Sequence, residues 1–305
     1  MNREPHHATA SDGTWIFWES AGTGGPAIVL CDGVGCAGYI WRRLAPELAR
    51  RHRVIHWNYR GHGRSGHPHD PERVTVADAA DDLRAVLDAA GEERVILAGH
   101  SMGVQVVLEA YHRAPERVAA MVLVCGSPGR PLDSFHDSPL LGVVFPYVKE
   151  LVLLVPHLVR AVFQKVLPTK LALEIGLMIE VNRQLLPPED MAQYLGELAG
   201  VDPAVFVRTL ADAARHDATE YLPQVDVPTL VVAGERDGFT PLRRSMAMQA
   251  MIPGSDLLVL PAGTHTGPLE HPELVALRLQ KFLSERVSPR TVAPAAGPPR
   301  PVRTA

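Results

Sequence analysis

The feature that most limits what this chain can become is a rhythm of short apolar runs. AIVLC (27–31), RVIHW (53–57), RVILAG (94–99) and VAAMVLVC (118–125) alternate with helical patterns near 39–50, 76–90 and 103–113. Strands that are apolar on both faces must be covered on both faces, and helices placed between successive strands are how a parallel sheet achieves this. The chain is therefore read as α/β. TWIFWES (14–20) reads as an antiparallel edge strand leading into the sheet. The helix of 76–90 carries Asp78, Asp81 and Asp82 in its early turns, where the helix dipole favours acids.

The rhythm breaks after Cys125 and resumes with TLVVAGERD (229–237), a helix near 241–251, DLLVLPA (256–262) and a last helix from 272 to 285. The expected organisation is a core in two parts, 1–129 and 223–286, with a helical insertion over 130–222 sitting on one edge as a lid. Residues 287–305 are rich in Pro, Ala and Arg and contain no acid, a composition expected to be disordered. The sequence shows no internal repeat.

Charge and cysteines exclude several classes. A net charge of −4 over 305 residues gives no reason to expect nucleic acid or an anionic membrane as partner. Three cysteines, Cys31, Cys36 and Cys125, are too few and too scattered for a disulfide framework or a zinc site. Cys31 and Cys125 end apolar runs and read as buried free thiols. The start, MNREPHHATASDGTW, has no apolar core of a signal peptide. Leu140 to Val159 is interrupted by Pro146, Lys149, Glu150 and Pro156, short of the roughly 18 apolar residues of a spanning helix. The expectation is a soluble, cytoplasmic protein without a transmembrane segment.

Chemistry enters with Gly99-His100-Ser101-Met102-Gly103, lying between a strand and a helix. A serine at the tip of a sharp strand-to-helix turn holds a strained backbone, and glycine on either side removes the clash that side chains would make. Such a serine stands at the positive end of the following helix, beside the next residue's N–H. It needs a base, and the base needs an acid to orient it. Asp237 falls just past one strand's carboxyl end and His265 in the loop after the next. Glu235, two residues before Asp237, and His271, six after His265, are the rivals. Glu235 continues the strand direction, and His271 precedes Pro272 as if opening the last helix. His62, His67 and His69 read as loop residues, and no metal site is expected.

Ser101, Asp237 and His265 in this order, with a helical block between Cys125 and Leu230, resemble the α/β-hydrolase superfamily. NYRGHGRSG (58–66), AGHSMG, PTLVVAGERD and GTH resemble its sequence blocks over roughly residues 14 to 286. The resemblance implies an eight-stranded, mostly parallel sheet flanked by helices, with a helical cap. Two positions depart from it: Asp32-Gly33 replaces the common His-Gly, and Asn58 replaces an Asp.

Gly33, Gly35 and Gly38 also spell the G-x-G-x-x-G of a dinucleotide-binding turn. Against that reading, Asn58 stands where an acid should hold a ribose. Pro46 falls where the helix should run unbroken, and a strand precedes the motif. The alternative is a loop beside Ser101 in which the N–H groups of Val34 and Met102 face a tetrahedral intermediate. The chain is accordingly read as a cofactor-independent serine hydrolase acting on a carboxylic ester, a small-molecule substrate. Ser101 is the nucleophile, His265 the base, Asp237 the orienting acid, and Val34 and Met102 the oxyanion donors.

The Leu, Val, Phe and Met of 140–163 and 171–181 are expected to face the cleft as an apolar acyl pocket. A C–C bond hydrolase, a lactonase or a perhydrolase on the same triad, or a ligand-binding protein on a hydrolase scaffold, are the alternatives. An ionised Asp32 aimed at the oxyanion would oppose the reaction. Its side chain is therefore expected to turn away, accepting hydrogen bonds from loop N–H groups or the Asn58 amide and bracing the Val34 N–H.

Overall fold

In the computed structural model, which describes residues 4–179, 182 and 184–287, strands and helices alternate as the apolar runs require. The first part runs β1 (Glu4–Thr9), β2 (Trp15–Ala21), β3 (Ile28–Cys31), α1 (Leu44–Leu48), β4 (Val54–Trp57), α2 (Val76–Ala90), β5 (Val95–His100), α3 (Met102–Arg113) and β6 (Val118–Val124). Five helices follow: α4 (Leu140–Leu154), α5 (Pro156–Val166), α6 (Lys170–Ile179), α7 (Pro188–Gly200) and α8 (Pro203–Ala213). The chain then returns with β7 (Thr229–Gly234), α9 (Leu242–Met251), β8 (Asp256–Leu260), α10 (Gly267–Glu270) and α11 (Pro272–Arg286).

All eight strands join one sheet in the order β1-β2-β4-β3-β5-β6-β7-β8. β2 pairs antiparallel with β1 and β4, and every other neighbouring pair is parallel. Successive residues of the central strands feed two cores. Val29, Cys31 and Leu97 join α2 and α3 on one face. Ile28, Leu30 and Ile96 join α1 and α11 on the other. Each such fully buried aliphatic contributes about 1.5–3 kcal/mol, which is why these strands carry no polar side.

Two expectations change here. β2 is not the edge strand, because β1 lies outside it, paired from Glu4↔Ser20 to Thr9↔Trp15. EPHHAT buries only Ala8, so its polarity, which hid it as a strand, is what an exposed edge uses to resist further pairing. Asp82 does not serve the dipole of α2. It is fully buried and takes Arg60 through Nε–Oδ2 and Nη2–Oδ1 contacts of 2.8 and 2.6 Å. The first turn is instead closed by Thr75 and Asp78 in a reciprocal capping box.

The three cysteines are buried and free, and burial pushes the Cys31 thiol up to about 12. Among the described residues no strand lies between β6 and β7, and no single helix is long and apolar enough to cross a membrane. Residues 288–305 lie outside the described residues, and with them nearly all of the expected tail.

Candidate active site

Ser101 links β5 to α3 with φ 57° and ψ −119°, a left-handed conformation that an L-residue adopts only under constraint. A Cβ on Gly99 would strike the Gly103 carbonyl oxygen, and one on Gly103 would strike that of Cys31. The G-x-S-x-G spacing is thus a packing requirement of this turn.

The parallel register of β5, β6, β7 and β8 brings their carboxyl ends to one edge. There His265 Nε2 lies 2.9 Å from Ser101 Oγ, and His265 Nδ1 lies 3.1 and 3.0 Å from the two Asp237 oxygens. A carboxylate can only accept, so Nδ1 carries the proton and Nε2 is left to accept from the serine hydroxyl. Asp237 also accepts from the Phe239 and Thr240 amides, each at 2.9 Å, and from the Thr240 hydroxyl at 2.8 Å. Burial alone would raise its pKa. The neighbouring His265 and these hydrogen bonds outweigh burial and hold it below the usual carboxylate value. Of the rivals, Glu235 accepts from the Ala262 amide at 2.6 Å, and His271 occupies the N-cap position of α11 without a side-chain capping bond. Neither contacts Ser101.

The loop holding His265 is fixed by a residue the sequence did not advertise. Glu270 accepts from the Thr264 amide and hydroxyl at 2.7 and 2.6 Å and from the Thr266 hydroxyl at 3.1 Å. Beneath it, burial first and then the neighbouring His265 push the His100 pKa down to about 3. That neutral ring donates its Nε2–H to the His265 carbonyl at 2.9 Å.

The glycine loop runs over the serine. A Cβ on Gly33 would come within 3.1 Å of Ser101 Cβ, so the backbone approaches as closely as it can. Val34 and Met102 both line the same cavity as Ser101 and His265, and no protein group among the described residues accepts either amide N–H. Asp32 turns away from Ser101, but its expected partner is replaced. Its Oδ2 lies 2.8 Å from His56 Nε2, while Asn58 Oδ1 accepts from the Arg64 amide at 3.0 Å. Asn58 faces its own turn, whereas His56, two residues earlier on β4, shares a sheet face with the end of β3. The Tyr59 hydroxyl adds a 2.7 Å bond to the Asp32 carbonyl. From the far side, Glu197 on α7 accepts from the Ala37 amide at 2.6 Å.

Between these loops lies a cavity of about 340 Å³. Its apolar wall is built by Leu132, Phe135, Leu195, Phe206, Leu210 and Phe239. Of residues 140–163 only Leu141 reaches it, contrary to expectation. α4 and α5 pack on α7 and α8, and those two helices, with 131–135, stand between them and the cleft. The side chains of 175–181 lie outside those described. Among the described residues no group of His, Cys, Asp and Glu is arranged to hold a metal ion.

His56, Glu197 and Glu270 were not singled out from sequence. His56 and Glu197 meet their partners 24 and 160 residues away, and Glu270 carries no motif of its own. A histidine inside an otherwise apolar strand was the one legible sign.

Residues 26–272 match the family model described as alpha/beta hydrolase fold. The chain is 29% identical over 272 residues to a protein of Azorhizobium caulinodans provisionally named carbamate hydrolase RutD, covering 88% of this chain and 95% of that one. It is 26% identical to the pimeloyl-[acyl-carrier protein] methyl ester esterase of Edwardsiella ictaluri, covering 89% and 98%. Among solved structures, a thermophilic esterase from Thermogutta terrifontis superposes with a TM-score of 0.77 at 24% identity, covering 94% of this chain and 100% of that one.

Proposed function

Because the chain belongs to the alpha/beta hydrolase family, we propose that it hydrolyses carboxylic esters as a cofactor-independent serine hydrolase. The observation that carries this reading is the unbroken chain of hydrogen bonds from Ser101 through His265 to Asp237, opening on an apolar cavity. Ser101 Oγ attacks the ester carbonyl carbon as His265 Nε2 takes its proton, and the oxygen that gains the charge is held by the Val34 and Met102 amides. Collapse breaks the bond to the alcohol, which leaves with the proton from His265. Water, deprotonated by His265, then attacks the acyl-enzyme, and a second collapse returns the proton to Ser101 and frees the acid.

Asp237 stays ionised through the cycle. Its contribution is to fix the tautomer and stabilise the imidazolium. The helical segment acts as the lid, with α7 and α8 rather than α4 and α5 supplying the acyl wall. A cavity near the lower end of the roughly 300–1,000 Å³ range of ligand sites suits an ester of modest acyl length.

The test is labelling with a fluorophosphonate, read by intact mass, alongside turnover of a series of p-nitrophenyl esters. A single adduct on Ser101, absent in Ser101→Ala with unchanged circular dichroism, supports the reading. Unlabelled wild-type protein, or turnover by the alanine variant, refutes it.

A further inference from the structure

The helices α4 and α5 expose what soluble proteins bury. Phe145 and Val152 of α4 turn inward, but Leu140, Val143, Tyr147, Leu151 and Leu154, spaced three or four apart, are 61–77% exposed. On α5, Leu158, Val162 and Val166 repeat every four residues and also face outward. A helix apolar all round belongs in a core or in lipid, and a contiguous exposed apolar patch marks an interaction surface.

Charge and composition say what covers it. Although the chain carries a net −4, the stretch Leu140–Ile179 has four basic and two acidic residues. Two of the basic residues, Lys165 and Lys170, are exposed and form no ion pair among the described residues. The outward side chains are Leu and Val with one Tyr, whereas protein interfaces concentrate Tyr, Trp, Phe, Met and Arg and avoid Lys. The sequence of 288–305 has three arginines and no acid, so it carries the same sign of charge as this stretch and is repelled by it.

We propose that the outer face of α4 and α5 docks on an anionic lipid surface, its apolar stripes in the acyl boundary, with Lys165 of α5 and Lys170 at the start of α6 at the phosphate level. The two helices are bent by 101° at their junction, which suits helices lying in the interface rather than a single span. Whole-chain charge gave no reason to expect such a surface; local charge does. The inference is independent of ester hydrolysis, since docking is read without substrate.

The experiment is co-sedimentation of the full chain with phosphatidylcholine vesicles, with and without phosphatidylglycerol, at low and high salt. Sedimentation velocity without lipid runs in parallel. Binding should be about tenfold stronger on the anionic vesicles at low salt and weaken with added salt. Leu154→Glu and Leu151→Glu should each cut it by about tenfold or more, with circular dichroism and fluorophosphonate labelling unchanged. Lys165→Gln with Lys170→Gln, which alters no packing, should remove the anionic preference. Absence of vesicle binding, or binding that none of these variants alters, overturns the proposal. So does a dimer that the Glu variants dissociate while vesicles stay unbound, which makes the face a subunit interface.

Discussion

Around Ser101 the loops are held by short polar contacts reaching across the sheet edge, whereas α4 and α5 are held by packing on one side only. Asp237 takes three donors besides His265, and Glu270 braces the His265 loop. Such bracing is what keeps donors and acceptors aimed at a reacting atom without reorganisation. The outer helices carry no comparable network on their exposed faces.

The dividing line does not follow the chain, however. α7 belongs to the same helical segment, yet its fully buried Asp190 takes Arg42 at 2.6 Å and Arg43 at 2.8 Å. Its Glu197 holds Ala37. One half of the segment is thus an extension of the braced site, and the other half is a surface.

The largest test of that contrast is Asp237→Asn, which should lower kcat by about 10⁴ through the wrong histidine tautomer while leaving the fold intact. Glu235→Gln should keep near-full activity. The reverse result in steady-state kinetics would move the orienting acid to Glu235.

Packing should discriminate the regions next. Leu97→Ala, wholly buried in β5, should cost about 2–5 kcal/mol in chemical denaturation. Leu154→Ala, 77% exposed, should stay within about 0.5 kcal/mol. Equal losses would mean that the outer helices are as tightly integrated as the core.

A smaller effect is expected at Asp32. Removing its carboxylate leaves His56 buried without that partner and loosens the loop carrying Val34. Asp32→Ala should therefore lower kcat by about tenfold, part of the 10²–10³ lost with an oxyanion donor, with little change in KM. Asp32→Asn should retain more. A pure KM effect would make Asp32 a substrate contact instead.

The smallest signal is a pair of opposite pH slopes. On α3, the His216 hydrogen bond, with Arg113, pulls Glu109 down to about 2. The stability it adds is present above its ordinary value of 4.5 and lost as pH falls toward 2. On α7, burial raises the Glu197 carboxyl above its ordinary value. Its contribution is therefore fully present below 4.5 and lost as pH rises through the raised value. Thermal melts against pH should lose the acid-side slope in Glu109→Gln and the slope above 4.5 in Glu197→Gln.

What the sequence by itself determined was whatever is encoded at short range. Both-face apolar runs dictated a covered parallel sheet, and the glycines flanking Ser101 dictated the turn. The positions of Asp237 and His265 after successive strands dictated that they would meet Ser101, because parallel neighbours share one carboxyl edge. Tertiary structure alone decided which buried polar groups pair and which apolar faces are covered. Asp32 finds His56 rather than Asn58, a polar N-terminal strand takes the sheet edge, and the cavity wall draws on α7 and α8 but only on Leu141 of α4, whose apolar stripe faces out. The physical reason is that period and spacing report how a segment folds, not which neighbour arrives. A helix apolar on all sides has no preferred inward face until packing supplies one, and a buried carboxylate takes the donor that the sheet register brings within reach.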